Sequence, residues 1–486
     1  MKQIINSIVK PLVYIFNKSI ETGNVPTKFK IAKVVPVYKK GDSHLMKNYR
    51  PISILPCFSK LIEKCIFNRV YSFLCHNNII SNSQYGFRRN HSTAHALIDL
   101  QDKIISAINK NNFSLGIFMD LSKAFDIVDH TILLYKLKHY GIRGTALKWF
   151  SSYLNNRSQY TFVDNCSSNH SQIKYGVPQG SILGPLLFLL YINDITKSSQ
   201  NLEFVLYADD TTLFYTQPDL NNLKENIESE LSKVTTWFKI NKLLVNFDKT
   251  HFVPFQNRSI NIGAAVENIV INIDSHTLNK SDNVNFLGIH IDKYLHWKTH
   301  IDYVNNKVSK CIGILHIKLK YYLPLVALRT LYNSLVLPYL SYCIPVWGNC
   351  NQSNMNALFI LQTKAVRICT GSHYLAHSAP LFKKLNTLNF YDLYSYHTAI
   401  IGFFYFQNLL PRHIFQMFSI NSSIHHYGTR NCNYFHLFKV NSTFVQKSVR
   451  FNFPVVWNSM PINIRSCKNL RLFKKTLKRH LLLNYS

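Results

Sequence analysis

The stretch Val205-Leu-Tyr-Ala-Asp-Asp-Thr-Thr-Leu-Phe-Tyr215 sets two adjacent acids between two apolar arms. Aspartate is depleted in strands, because a carboxylate among buried side chains loses hydration without gaining a partner. The arms therefore read as two strands around a two-residue centre, Asp209-Asp210. Such a centre is either an Asp-containing hairpin turn or a site that binds something. The stretch alone leaves both open.

A third acid closes another apolar run. Leu115 to Met119 reads as a strand that ends on Asp120, within Ile117-Phe-Met-Asp-Leu-Ser-Lys-Ala-Phe-Asp126. If the strands are neighbours, Asp120 and Asp209 face each other with little local positive charge to neutralise them. Like charges held that close raise each other's pKa unless a cation sits between them. Two Mg²⁺ ions about 3.5–4 Å apart, shared by carboxylates, resolve this in phosphoryl transfer. Mg²⁺ also leaves coordination sites free for substrate phosphates. Two aspartates from distant strands thus suffice for a polymerase-type site. Asp126 and Asp129 follow too closely to share the strand end, and a structural hydrogen-bonding role suits Asp126 better.

Outward from this centre, Ile4–Ile20 and Ile54–Leu74 carry helical spacing, with a strand over Ala32–Tyr38 and a turn at Gly41-Asp42 between them. His130–Tyr140, Ala146–Leu154 and Leu220–Lys239 read as helices, the last with Glu and Lys on a solvated face. Val284–Ile291 reads as a strand around Gly288. From His296 onward acids become rare, and Lys298, Lys307, Lys310, Lys318 and Lys320 ride on a helical pattern. Leu470–Leu483 is a basic helix, with Arg471, Lys474, Lys475, Lys478 and Arg479 set against Leu472, Phe473, Leu477, Leu481 and Leu482. The fold class expected is α+β, followed by a helical basic module.

The chain has 486 residues, 47% of them apolar and 14% aromatic, which excludes wholesale disorder and allows roughly three domains. Lys plus Arg number 55 against 24 Asp plus Glu, a net charge of +31. That excess asks for a polyanionic partner, either nucleic acid or an anionic membrane surface. Two long uncharged stretches, Thr330–Thr363 and Leu393–Pro411, are broken by Pro338, Pro345, His397, Gln407 and Asn408, so they read as buried helices. Lys10 and Pro11 interrupt the first apolar stretch before a signal sequence can form. A soluble protein is expected, with no membrane partner. The ten cysteines show no C-x-x-C and suit reduced thiols. Cys432 and His436, with His425 and His426 nearby, lack the paired spacing of a closed tetrahedral site, so no structural zinc is expected.

Further segments join the acidic ones in a fixed order: Val35-Pro-Val-Tyr-Lys-Lys-Gly41, Asn48-Tyr-Arg-Pro-Ile-Ser53, Gln84-Tyr-Gly-Phe-Arg88 with His91-Ser-Thr93, and Asp120-Leu-Ser-Lys-Ala-Phe-Asp126. Then come Gly176-Val-Pro-Gln-Gly-Ser-Ile-Leu-Gly-Pro185, Tyr207-Ala-Asp-Asp210, Asn246-Phe-Asp-Lys-Thr250 and Phe286-Leu-Gly-Ile289. This ordered set resembles the reverse transcriptases of non-LTR (LINE-type, jockey-like) retrotransposons. The likeness covers about Ile20 to Asp292 and continues weakly to Val456-Trp-Asn458 and Ile464-Arg465. Reverse transcriptases of group II introns share Ser122–Asp126, yet no maturase-like segment or HNH-type Cys/His cluster follows here, and Trp457-Asn458 fits the retrotransposon kind.

The resemblance implies a right-hand polymerase: fingers over residues 1–115 with the N-terminal helix, palm with an antiparallel sheet over 116–295, helical thumb over 296–370, and a basic C-terminal segment over 371–486. The reverse transcriptase domain itself would run over about 20–292. It implies a nucleotidyltransferase, an RNA-directed DNA polymerase that extends a DNA primer with dNTPs on an RNA template and holds the RNA–DNA hybrid. The cofactor implied is two Mg²⁺ ions, Mn²⁺ being the alternative, at Asp120, Leu121, Asp209 and Asp210. Asp120 and Asp209 match the metal-binding acids, and Asp210 a third carboxylate. Phe125 matches the ring beneath the deoxyribose, which excludes a 2′-hydroxyl; a plain core aromatic is its other reading. Gln179 and Gly180 match nucleotide contacts. Arg50 matches the grip on the triphosphate, its planar fork suiting phosphate oxygens. Lys39 is a second grip, with Lys33 and Lys40 close by. Lys249 matches a general acid for the leaving pyrophosphate, and Phe286, Leu287 and Gly288 the primer grip. The thumb and tail lysines are either phosphate contacts or solvated faces.

Full-length elements of this kind carry an N-terminal endonuclease, and none is expected within this chain. The alternative function is a catalytically inactive RNA-binding remnant, or a domesticated fragment of such an element.

Overall fold

Strand register decides which of these residues meet in the computed structural model, which describes residues 5–219, 221–256, 269–318, 323–424, 431–440 and 442–485. The strands are β1 (Ile31–Tyr38), β2 (Tyr49–Ile54), β3 (Phe113–Leu121), β4 (Arg157–Val163), β5 (Cys166–Ser167), β6 (Ser171–Ile173) and β7 (Leu202–Tyr207). After them come β8 (Asp210–Gln217), β9 (Val245–Phe255), β10 (Asn272–Ile273), β11 (His276–Thr277), β12 (Asn279–Lys280), β13 (Asn283–Phe286) and β14 (Ile289–Asp292). One sheet has the order β12-β9-β3-β8-β7, with β3 antiparallel to both its neighbours. A second sheet joins β2, β1, β4 and β5, with β6 also on β4, so residues 157–173 complete the sheet begun by β1.

Side chains alternate across a strand, and β3 uses this to serve two cores. Phe113, Leu115, Ile117, Met119 and Leu121 enter one core with the helices Cys57–His76, His130–His139, Gly144–Leu154, Leu183–Ile192 and Leu223–Ile240. Phe118, on the opposite face, enters the other with the helix Thr93–Asn109 and the helices beyond residue 298. Leu183–Ile192 is apolar all round and buried throughout, as a helix enclosed by protein must be.

Several boundaries differ from the sequence expectation. The helix expected from Ile54 starts at Cys57, because Ile54 closes β2 and Pro56 stands at the cap. Val284–Ile291 is a hairpin, β13 and β14, turning at Leu287-Gly288 with both residues left-handed. The helix expected from Leu220 begins at Leu223, Leu220 itself lying outside the described residues. On it Glu230 is buried, accepting from Ser199 Oγ and Asn201 Nδ2, where a solvated face was expected. Ile4, Lys320, His425 and His426 also lie outside the described residues, as does the side chain of Lys318.

Thr330–Thr363 is cut at Pro338 and Pro345 into Leu325–Leu335, Leu337–Ser341, Ile344–Trp347 and Gln352–Thr370. Leu393–Pro411 falls mostly in the helix Phe390–Phe406. Among the described residues no helix is long and apolar enough to cross a membrane. The C-terminal helices pack back onto the helix Thr93–Asn109: Gln101 Nε2 donates to the Val346 carbonyl at 2.9 Å, and Arg450 pairs with Asp102 at 3.3 Å. Trp457 is buried against Gly402, where a Cβ has no room, and Asn458 accepts from the Phe435 N–H and donates to its carbonyl.

Candidate active site

Asp120 sits near the end of β3, on the same face as Phe118. The ladder pairs Met119 with Thr211, the residue after Asp210, which brings the end of β3 beside the acidic hairpin. Tyr207 pairs with Asp210, so the hairpin centre is Ala208-Asp209 and lies one residue earlier than expected. Ala208 supplies the left-handed residue, with φ +56°, and Asp209 rides the tip while Asp210 begins the ladder.

The three carboxyls feel one another. Burial raises that of Asp209; its own backbone N–H draws it down, Asp120 raises it again, and Arg50 and Lys39 oppose the rise. Asp210 still reaches solvent, yet the protein packed around it, then Asp209 and Asp120, push it up to about 6. Lys249, on β9, places Nζ 3.1 Å from Asp120 Oδ2. Among the described residues no three His, Cys, Asp or Glu side chains close around a single point as an ion's ligands. Asp120 is turned to Lys249 instead. The Leu121 side chain lies in the core, which leaves only its backbone for an ion.

The nucleotide-binding candidates are fixed by contacts with β2 and with the helix Leu183–Ile192. Phe125 stacks on Phe188, ring centroids 4.5 Å apart, and meets the edge of Phe87 at 6.3 Å. Gln179 Nε2 donates to Asp126 Oδ1 at 2.8 Å, and the Gln179 carbonyl accepts from Ser53 N at 2.7 Å, tying the Pro178–Gly180 loop to β2. Gly180 lies against the Ser53 carbonyl so closely that a Cβ is excluded. Arg50 and Lys39 stand with the β1–β2 pair, both exposed. Lys33 is withdrawn, its ammonium 3.3 Å from the centre of the Phe162 ring. Asp129 caps the helix His130–His139 through Thr131 N and Ile132 N and pairs with Lys242. The Leu287-Gly288 turn is held by Tyr342, whose hydroxyl donates to the Leu287 carbonyl at 2.7 Å, and Phe286 packs on Phe118.

Residues 37–291, more than half of the chain, match the family described as "Reverse transcriptase (RNA-dependent DNA polymerase)". The chain belongs to the reverse transcriptase family. The fold is α+β, as the sequence reading expected. The chain is 29% identical to "Probable RNA-directed DNA polymerase from transposon BS" of Drosophila melanogaster, over 80% of this chain and 43% of that one. It is 27% identical to "RNA-directed DNA polymerase from mobile element jockey" of the same organism, over 77% of this chain and 41% of that one. The chain therefore spans less than half the length of these curated relatives. Among solved structures, apo telomerase from Candida tropicalis aligns with 78% of this chain and 66% of its own at 12% identity, with a TM-score of 0.42.

Two residues received no role in the sequence reading, although Gln84 opens one of its motifs. Glu63 is fully buried; its Oε2 accepts from Ile182 N at 2.7 Å and Leu183 N at 3.3 Å, and Oε1 from Ser59 and Tyr153 hydroxyls. It thereby caps the helix that follows the Gln179 loop. The other is Gln84, beneath the Ala208 turn. Arg88, from the same motif, donates to the Ser81 and Gln84 carbonyls.

Proposed function

We propose that this reverse transcriptase is an RNA-directed DNA polymerase of the non-LTR retrotransposon kind, extending a DNA primer 3′-hydroxyl with dNTPs on an RNA template. The observation that carries the reading is the placement of Asp120 at the end of β3 beside the hairpin that bears Asp209 and Asp210, where burial first, and then their neighbouring charges, raise the last two carboxyls. Crowded hard oxygen donors of this kind fit Mg²⁺, or Mn²⁺ in its place. Asp120, Asp209, Asp210 and the Leu121 backbone would hold the ions. When bound, they supply the charge that activates the attacking hydroxyl and steadies the leaving oxygen.

The chain's own groups do the rest. Arg50 and Lys39 already act on Asp209, and they would neutralise the triphosphate. Phe125, braced by Phe188, would exclude a ribose 2′-hydroxyl, with Gln179 and Gly180 flooring the nucleotide. Lys249 Nζ would leave Asp120 and give a proton to the departing pyrophosphate oxygen. Phe286, Leu287 and Gly288 would hold the primer end, and Lys298, Lys307 and Lys310 the duplex phosphates. We assign residues 1–115 to the fingers, 116–295 to the palm with 157–173 returning to the fingers sheet, 296–370 to the thumb, and 371–486 to a C-terminal basic segment.

The test is primer extension on an RNA template with Mg²⁺, comparing wild type with Asp209→Asn. Extension by wild type alone is expected, with a loss of at least ~100-fold in the variant. Extension by neither protein, with hybrid binding retained, would favour the RNA-binding remnant.

A further inference from the structure

Ala208 is the only non-glycine at positive φ within the acidic hairpin, and its conformation decides where Asp209 points. A left-handed alanine is costly in isolation, so something must hold it. Residues 83–86 run alongside β7: Tyr85 N donates to the Leu206 carbonyl and Leu206 N to the Ser83 carbonyl, both at 2.8 Å. This places Gln84, 1% exposed, directly under the turn. Its Oε1 accepts from Ala208 N at 3.1 Å and from Gly86 N at 2.8 Å. Gly86 lies so near Ala208 N that a Cβ there is excluded. One buried carboxamide oxygen thus takes the amide that the left-handed turn leaves without a ladder partner. The two N–H donors also fix which end of the amide faces the turn.

We propose that Gln84 is a positioning residue for the divalent-ion site: it holds the Ala208 backbone and so sets the carboxylate of Asp209, while touching neither substrate nor ion. This rests on the polymerase reading only for its consequence in catalysis. Its consequence for ion binding stands without it.

The decisive measurement is Mn²⁺ binding to the full chain without nucleic acid, followed by electron paramagnetic resonance. Single-turnover extension across Mg²⁺ concentrations and hybrid affinity run in parallel. Gln84→Met keeps the length and burial but offers no comparable acceptor. Gln84→Glu, protonated in so buried a place, keeps the carbonyl oxygen. The Mn²⁺ midpoint of Gln84→Met is expected to rise about tenfold or more, the usual scale for losing an orienting hydrogen bond behind a ligand. Its extension rate at saturating dNTP is expected to fall, with hybrid affinity unchanged. Gln84→Glu should return the midpoint to near wild type. If the methionine variant does not fold, Gln84→Asn, one methylene too short to reach both amides, takes its place. A wild-type Mn²⁺ midpoint in Gln84→Met or Gln84→Asn overturns the proposal, as does a glutamate variant no better than methionine. A wild type that binds Mn²⁺ yet extends no primer overturns the polymerase reading instead, and the Mn²⁺ comparison still decides on Gln84.

Discussion

Asp210 makes the charge crowding measurable. Its carboxyl is pushed up to about 6 by burial and by Asp209 and Asp120, against an ordinary value of about 3.9 in an unfolded chain. Between those two values the native state keeps a proton that the unfolded state has released. Unfolding free energy therefore falls as pH rises through that window. In the absence of divalent ions the melting temperature should drop between pH 4 and pH 6 for this reason, and Asp210→Asn should flatten that part of the profile. A variant profile superimposable on wild type would remove Asp210 as the source. At Phe125, whose ring is propped on Phe188, replacement by alanine should raise rNTP incorporation relative to dNTP by about 10–100-fold, the scale of a steric gate losing its bulk. Unchanged sugar discrimination would return Phe125 to the core. The three acids were legible in the sequence because aspartates inside apolar arms are conspicuous. Glu63 and the role of Gln84 were not: a lone Glu in a helical pattern looks like a surface residue until packing buries it, and a motif's order does not say that Gln84 lies under the Ala208 turn.

Among the elements, the loop Pro178–Gly180 is held from two sides, by β2 through Ser53 and by Glu63 at the start of the next helix. Glu63→Ala would strand two backbone N–H groups and two hydroxyls, costing about 1–3 kcal/mol. Because the same loop carries Gln179, the KM for dNTP should rise more than kcat falls. Denaturant unfolding and steady-state kinetics check the two halves separately, and equal loss in kcat with KM unmoved would deny the link to the loop. The helices Cys57–His76 and Leu223–Ile240 were readable from periodicity although their boundaries were not, whereas Thr93–Asn109 and Leu183–Ile192 went unread. Pro56 moved one helix start, and the hairpin of β7 and β8 turned one residue early. Neighbouring acids mark a turn region without saying which of them carries the ladder bonds.

At the scale of the whole molecule, the net charge of +31 predicts strongly salt-dependent affinity for an RNA–DNA hybrid. Lys307, half-buried over the Tyr303 ring, and Lys310, exposed, lie on the helix Lys298–Lys318. If they contact phosphates, Lys307→Ala with Lys310→Ala should reduce the slope of log affinity against log salt by about 2. A slope equal to wild type would assign them to a solvated face. The α+β class and the basic helical tail were both readable from composition and spacing. Which layers share a core was not, because that depends on contacts between residues hundreds apart, such as Arg450 with Asp102.

Those contacts have a practical side. Leu97, Leu100 and Ile104 of the helix Thr93–Asn109 belong to one continuous apolar cluster with Trp347, Phe390, Trp457 and Phe473. Anyone trimming the protein to residues 37–291 would lift the lid from that helix and leave a greasy seam facing water. Such a shortened version should clump on expression, and co-production of the missing tail as a separate polypeptide is the remedy the layering suggests.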